Sequence, residues 1–317
     1  MNHQEQLAWE KRVGVYAAVA AFASALTGAA GLAAGASARG RQTIGDTVDE
    51  LFSVHRHSGA YLAQFWLQGI SIAVLAGALY YLYRATRYRR PQVPGALNYL
   101  SLTLPVVVGG ATVVNGYAQV HAANKVAREL LAHPLFPKAA NKLADHEVLH
   151  GTPATIGYIG AAFGLALAFV VGMISINARR AGLLSGFMGV LGAIVGALLV
   201  LGSLLQLPPI VQYFWVTALG LLFLNRWPGQ QGRGPAWDSG EEEPWPSAAE
   251  LRAERTATGL KSDGRDRPPP SRGRAREPVE EAYEADGDYA DEDEEEEPQP
   301  AATPHPRSKK RKRKRRR

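Results

Sequence analysis

Hydrophobic and polar residues are segregated along this chain rather than interleaved. Six long apolar segments fill residues 1–226, and a charged stretch rich in Pro and Gly follows from Trp227. About 20 apolar residues are enough to cross a hydrocarbon core of about 30 Å as a helix. The pattern therefore predicts an all-α fold, a polytopic membrane helix bundle with about six transmembrane helices and a disordered C-terminal tail. The predicted spans are residues 13–34, 61–83, 97–119, 154–176, 183–205 and 210–225.

The first span has two interpretations. It is built from Ala and Gly, and it ends in Ala36-Ser37-Ala38, a small-x-small pattern that a signal peptidase accepts. The apolar region of a signal peptide is usually about 7 to 15 residues, which is shorter than this span. An uncleaved first helix is therefore favoured over a cleaved signal peptide, and both leave the later topology unchanged.

The distribution of basic residues predicts the orientation. Arg84, Arg87, Arg89 and Arg90 follow the second span directly. Cytoplasmic loops are enriched in Lys and Arg, so this end of the span is predicted to be inside the cell. Lys11 and Arg12 before the first span, Arg179 and Arg180 after the fourth, and Arg226 after the sixth agree. The prediction is a multi-pass protein of the cell membrane with both termini cytoplasmic, residues 1–12 forming the N-terminal one.

Two polar connections lie on the predicted outer side. One covers residues 39–57, and the other covers 121–150. Apolar spacing within the second predicts two short amphipathic helices, parted by the helix breakers Pro134 and Pro137. An outer helical loop at 121–150 is therefore expected.

Small and amide residues mark where the predicted helices meet. Small residues four apart let helix backbones approach closely. Such pairs occur at Gly31/Gly35, Gly160/Gly164 and Gly192/Gly196. The spans carry no Asp, Glu, Lys, Arg or His away from their ends, which argues against a proton pump or an antiporter. Five amides remain, and hydrogen bonding between helices is favoured for them over a substrate pathway. They are Gln64, Gln68, Asn115, Gln119 and Gln212.

One stretch before the fourth span suggests chemistry. His146-Glu147-Val148-Leu149-His150 resembles the HExxH signature of zinc metallopeptidases. The resemblance implies that His146 and His150, one helical turn apart, bind zinc, and that Glu147 acts as the catalytic general base. It covers only these five residues. Asp145 before them and Gly151-Thr152-Pro153 after them depart from the usual pattern, and no third-ligand motif follows.

Histidines also gather on the predicted outer side independently of that motif. His57 precedes the second span, His121 ends the third, and His146 and His150 precede the fourth. Neutral imidazole suits zinc, copper or haem, so these four residues are the candidate metal ligands. The alternative is that His is simply common at polar membrane interfaces.

The tail from residue 227 to 317 is predicted to be disordered, because it cannot bury enough apolar surface to offset chain entropy. Residues 277–297 are acidic, and residues 307–317 are basic. A basic segment binds anionic lipid headgroups or nucleic acid phosphates, and an acidic or basic protein is a further candidate partner. The candidate binding residues are Lys309, Lys310, Arg311, Lys312, Arg313, Lys314, Arg315, Arg316 and Arg317.

Two functions remain open from the sequence. The leading one is a non-catalytic integral membrane protein whose cytoplasmic tail binds lipid, nucleic acid or protein. The alternative is a membrane-bound metal- or haem-binding protein, which includes the zinc metallopeptidase. The chain has no Cys, so disulfides, thiolate metal sites and thiol catalysis are excluded.

Overall fold

A computed structural model describes residues 3–39, 47–205, 209–227 and 233–246, with five further residues between 249 and 256. These residues form helices, turns and short connections, and no strand occurs among them. The predicted all-α class is therefore confirmed for the described ranges. The helices are α1 (His3–Arg39), α2 (Thr47–Arg56), α3 (Ser58–Arg89), α4 (Ala96–Ala132), α5 (Pro137–Leu149), α6 (Thr152–Arg180), α7 (Gly186–Leu205), α8 (Ile210–Phe223) and α9 (Pro235–Ser239).

Six of these helices, α1, α3, α4, α6, α7 and α8, pack side by side in alternating directions. Neighbours follow that order around the bundle, α8 returns to α1, and α3 also contacts α6. The bundle has two chemically different ends. The arginine end carries Arg84, Arg87, Arg89, Arg90, Arg179 and Arg180. The histidine end carries His55, His57, His121, His146 and His150.

Four apolar helical stretches are long enough to cross a membrane: α1, α3, α4 and the stretch that contains α5 and α6. α3 has 32 residues, which is about 48 Å of helix and exceeds the thickness of a hydrocarbon core. The apolar helix α8 is shorter, with 14 residues or about 21 Å. Length and composition thus support a membrane helix bundle, in which four helical stretches among the described residues are long and apolar enough to cross a membrane.

The connections at the histidine end contain more helix than the sequence predicts. α4 continues to Ala132 instead of stopping near residue 119, because no helix breaker occurs before Pro134. Only the second of the two predicted short helices, α5, is separate. The connection 39–57 contains α2, whose Leu51 and Val54 are buried. α2, α5 and the ends of α3 and α4 share a small hydrophobic cluster at the histidine end.

Glycines allow close helix contacts at three places. A Cβ at Gly69 of α3 would lie 2.6 Å from the carbonyl oxygen of Gly109 in α4. One at Gly31 of α1 would lie 3.2 Å from the Gln64 carbonyl oxygen, and one at Gly196 of α7 would lie 2.7 Å from that of Ala168. Side chains at these positions would force the backbones apart. The predictions for Gly31/Gly35 and Gly192/Gly196 are confirmed, whereas the Gly69 and Gly109 contact was not predicted.

The prediction for the third glycine pair is wrong. A Cβ at Gly160 of α6 would have only the Ala111 Cβ nearby, at 3.8 Å, and one at Gly164 would have no atom within 4 Å. α6 therefore does not press its backbone against a neighbour here. The space in front of these glycines is a cavity, described below.

Residues 233–246 fold back onto the arginine end. Trp237 is 1% exposed, its ring stacks on Tyr81 with centroids 5.6 Å apart, and its Nε1 donates to the Leu183 carbonyl oxygen at 2.9 Å. The prediction of disorder from residue 227 is wrong for this stretch. The average composition is charged, but one buried Trp supplies the apolar contact that holds the stretch in place. The acidic block 277–297 and the basic block 307–317 lie outside the described residues.

A buried ion pair connects this folded-back segment to the bundle. Arg89 Nη1 and Nη2 lie 2.6 Å and 2.9 Å from the two carboxylate oxygens of Glu10 in α1. The Arg89 and Glu10 side chains are 0% and 3% exposed. Arg89 also donates to the Ala236 carbonyl oxygen from Nε and Nη2, at 2.9 Å and 2.8 Å. One guanidinium thus joins α1, α3 and α9.

Candidate functional site

The HExxH-like stretch lies at the C-terminal end of α5. His146 is in the last turn of the helix, and His150 follows it as the C-cap residue. Their rings lie 5.6 Å apart between centroids, and both side chains are exposed. The helical spacing therefore brings these two histidines together, as the sequence predicts.

Glu147 is engaged elsewhere. Its Oε1 accepts a hydrogen bond from Lys125 Nζ of α4 at 2.6 Å. A general base must reach the proton that it removes. Glu147 instead fastens α5 to α4.

The other two candidate ligands do not complete a metal site. His57 precedes α3, and its Nδ1 lies 3.2 Å from the Ser53 carbonyl oxygen. His121 is exposed on α4. Within the described ranges, no three or more His, Asp or Glu side chains form a group that could hold a metal ion. A zinc site needs at least three protein ligands around one point, and the structure does not assemble them here.

Polar contacts hold α2 and α5 over the histidine end. Thr47 Oγ1 of α2 donates to Asp145 Oδ1 of α5 at 2.7 Å. His55 Nδ1 of α2 lies 2.6 Å from Asn124 Oδ1 of α4. Together with the Lys125 and Glu147 pair, these contacts fix where α5 lies relative to the bundle. The position of α5 in turn determines which part of the bundle its apolar residues cover.

Two of those apolar residues, Val148 and Leu149, border a cavity of about 530 Å³. Its inner wall includes Leu75 and Leu167, each 2% exposed. Tyr158, which also lines the cavity, is 75% exposed, so the cavity reaches the surface of the bundle beside this residue. Small-molecule pockets in proteins have volumes of about 300 to 1,000 Å³.

One wall of the cavity is bare helix backbone. Gly157, Gly160 and Gly164 of α6 line it at helical spacings of three and four, which places them on one face. A Cβ at Gly157 or Gly164 would meet no atom within 4 Å. The missing side chains on α6 are therefore what creates the volume.

A few polar groups enter this mainly apolar space. Asn115 of α4 lines it, and its Oδ1 is buried without a hydrogen-bond partner. Gln212 of α8 also lines it and is 9% exposed. The hydroxyl of Thr112 already donates to the Val108 carbonyl oxygen at 2.9 Å. Because a buried acceptor without a donor is costly, Asn115 is suited to a ligand that donates a hydrogen bond.

Two other amides that the sequence singles out, Gln119 and Gln64, differ in whether they have a hydrogen-bond partner. Tyr61 of α3 donates to Gln119 Oε1 of α4 at 2.6 Å, which is the predicted bond between helices. Gln64 lies against Gly35 of α1, and its Oε1 is buried without a partner. Interhelical hydrogen bonding thus accounts for Gln119, whereas the side-chain oxygens of Gln64 and Asn115 have no hydrogen-bond partner.

No family model, no curated protein and no solved structure matches this chain.

The cavity is not predictable from the sequence for an identifiable reason. The glycines at 157, 160 and 164 are visible there, but small residues favour close helix contacts as readily as empty space. The sequence marks Asn115 only as a candidate for hydrogen bonding between helices. The remaining predicted site, the nine basic residues from Lys309 to Arg317, lies outside the described residues.

Proposed function

We propose that this chain is a multi-pass membrane protein with six spans, oriented with the arginine end in the cytoplasm. Large apolar side chains are exposed on the sides of these helices, which is unfavourable in water and favourable in lipid. They include Tyr16, Leu26, Val106, Phe169, Phe187 and Phe214, each more than half exposed. The Arg cluster supports the orientation through the cytoplasmic enrichment of basic residues.

The natural absence of Cys provides a direct test of this topology. Lys142 on α5 and Arg180 at the end of α6 are both exposed. With a membrane-impermeant maleimide, Lys142→Cys is expected to be labelled in intact cells, and Arg180→Cys only after permeabilisation. The reverse pattern would refute the orientation, and labelling of both in intact cells would refute the placement of α6 across the membrane. Wild-type protein, which has no thiol, is the background control.

The function proposed for the bundle is binding of a lipophilic molecule in the cavity of α3, α4 and α6. The observation that carries this proposal is the 530 Å³ apolar space with the unpartnered Asn115 Oδ1 inside it. Its hydrocarbon lining favours an apolar body, and the amide oxygen favours one hydroxyl or N–H donor on that body. The opening beside Tyr158 would admit such a molecule laterally from the membrane.

Binding is favoured over catalysis by the chemistry of the lining. Among the described lining residues, the polar groups are amides, the Thr112 hydroxyl and the Tyr158 phenol, and none of these residues is Asp, Glu, His or Lys. General acid-base chemistry ordinarily depends on such groups. Engagement of Glu147 by Lys125 likewise gives the metallopeptidase alternative no support.

Filling the cavity is expected to remove the ligand. In Gly160→Leu, the new side chain would occupy space that now has only the Ala111 Cβ nearby. The ligand and the new side chain would compete for this space, and overpacking of about 1 to 3 kcal/mol should lower the affinity for the ligand about fivefold or more. The measurement is organic extraction and mass spectrometry of lipophilic molecules that copurify with wild type and variant.

Gly110→Leu is the matched control, because Gly110 is exposed on α4 and a Cβ added there would meet no atom within 4 Å. It should retain the copurifying molecule. Asn115→Leu should weaken binding about two- to tenfold through the lost hydrogen bond. Identical molecules in identical amounts from wild type and Gly160→Leu would contradict the proposal.

For the tail, we propose that its basic residues 309–317 bind anionic lipid of the inner leaflet. Each basic residue near such a surface contributes about 1 kcal/mol of attraction. Protein in phosphatidylcholine nanodiscs should sediment with phosphatidylglycerol liposomes, and deletion of residues 299–317 should abolish this. A full-length control with Gln at all nine basic positions should behave like the deletion. Unchanged sedimentation of both variants would leave nucleic acid or protein as the partner to examine.

A further inference from the structure

A second concave site lies at the arginine end, the end of the bundle opposite the histidine end. It is a groove of about 680 Å³ formed by the start of α1, the end of α3 and the start of α4. Among the described residues that line it are two cationic side chains and no carboxylate. The lining residues are Gln6, Arg84, Arg87, Tyr88, Gly95, Asn98 and Tyr99.

Both guanidinium groups are held in place by neutral neighbours. Arg87 Nη1 donates to Tyr83 Oη at 2.7 Å, and it lies so close to Gly95 that a Cβ there would be 2.6 Å away. Arg84 Cζ lies 5.6 Å from the centroid of the Trp9 ring. Neither arginine takes part in an ion pair with an acid among the described residues. Their positive charge is thus fixed in position and remains available to an anion.

One acid of α1 near this wall, Glu10, is already neutralised. Glu10 of α1 is paired with Arg89, and Gln6 in the groove donates to the same carboxylate at 2.7 Å. The contrast with Arg89 is informative, because Arg89 is buried and has a partner, whereas Arg87 is exposed on the same helix. One arginine stabilises the fold, and its neighbours line a groove.

An exposed apolar stripe leads away from the groove along α4. Tyr99, Leu102 and Val106 are 72%, 39% and 55% exposed, and their spacing of three and four places them on one helix face. This stripe runs toward the middle of the bundle, where the proposed membrane lies. A ligand that combines an anionic group with a hydrocarbon chain would match both surfaces.

We propose that this groove binds the phosphate of an anionic phospholipid, with Arg84 and Arg87 contacting the phosphate and the acyl chain lying along Tyr99, Leu102 and Val106. The proposal rests on the membrane location of the bundle but not on its orientation. It is also independent of the tail, since all its residues belong to α1, α3 and α4 or the turn between them. Basic pockets at the ends of membrane helices bind lipid headgroups in this manner.

The test is native mass spectrometry of the full-length protein titrated with phosphatidylglycerol. The variant Arg84→Gln/Arg87→Gln is compared with Arg179→Gln/Arg180→Gln, which removes two exposed charges from the same end but outside the groove. The groove variant should bind the lipid about 30-fold more weakly, which corresponds to about 2 kcal/mol for two cations. The control should bind within about twofold of wild type. The tail is unchanged in both variants, so its contribution cancels.

Further arms identify the source of the phosphate. Phosphatidylcholine with the same acyl chains should bind more weakly than phosphatidylglycerol, and inorganic phosphate or glycerol 3-phosphate should not displace the lipid at equal concentration. Displacement by either soluble phosphate would overturn the lipid assignment. Equal binding by the groove variant and the control would overturn the site itself. Arg84→Lys/Arg87→Lys, which keeps the charge, should retain most of the binding and shows whether loss in the Gln variant arises from misfolding.

Discussion

Replacing Arg89 with Met is expected to lower the free energy of unfolding by about 3 to 5 kcal/mol. The substitution leaves the Glu10 carboxylate, 3% exposed, without its cation in the interior of the arginine end. It also removes both donors to the Ala236 carbonyl oxygen. Leaving one buried charge unpaired lowers the free energy of unfolding by far more than the intact ion pair adds to it. The expected loss is therefore large. The measurement is chemical unfolding of detergent-solubilised protein, followed by Trp fluorescence.

A double variant separates the pair from simple loss of packing. Arg89→Met with Glu10→Leu removes both charges, so it should recover a large part of the stability lost in Arg89→Met alone. The Ala236 carbonyl remains without its donors, which leaves a deficit of about 1 to 3 kcal/mol. Arg180→Met, an exposed arginine on α6, should change stability by less than about 0.5 kcal/mol. Purely additive losses in the double variant would contradict the coupling of Glu10 and Arg89.

The long helices of the bundle can be predicted from the sequence because each depends on the composition of its own segment. Long apolar segments bounded by Arg or Pro predict helices through composition alone, and the helices α1, α3, α4 and α6 fulfil that prediction. The order of residues 233–246 is not predictable in the same way, because it depends on distant residues. The Trp237 site is built from Tyr81, Phe223 and Leu183, which no local composition of the tail reveals.

The candidate site is less predictable than the fold, for the same reason. His146 and His150 are brought together by helical spacing, which the sequence contains. The engagement of Glu147 by Lys125 depends on how α5 lies on α4, which the sequence does not contain. Whether glycines form a contact or a cavity wall is likewise a property of two helices. Gly109 meets the Gly69 backbone, whereas Gly164 has no atom nearby.

The second large effect is expected at Trp237. Trp237→Ala should destabilise the protein by about 3 to 5 kcal/mol, the usual cost of deleting a large buried aromatic side chain. The variant loses the stacking on Tyr81 and the edge contact with Phe223. It also loses the cation-π contacts with Arg89 and Arg233, whose Cζ atoms lie 5.5 Å and 5.7 Å from the ring.

This loss should have a local consequence that stability alone does not report. Without Trp237, little apolar contact remains to hold residues 233–246 on the arginine end, so the backbone there should become accessible to proteases. Limited proteolysis of protein in nanodiscs should therefore cut this segment faster in Trp237→Ala than in wild type, while the bundle stays intact. Trp66→Ala is the matched control, because Trp66 is 47% exposed at the far end of α3 and its loss leaves the segment in place. Equal cleavage rates in wild type and Trp237→Ala would mean that Trp237 does not hold the segment. Other contacts, such as the ion pair of Arg90 and Glu242, would then hold residues 233–246 on the arginine end.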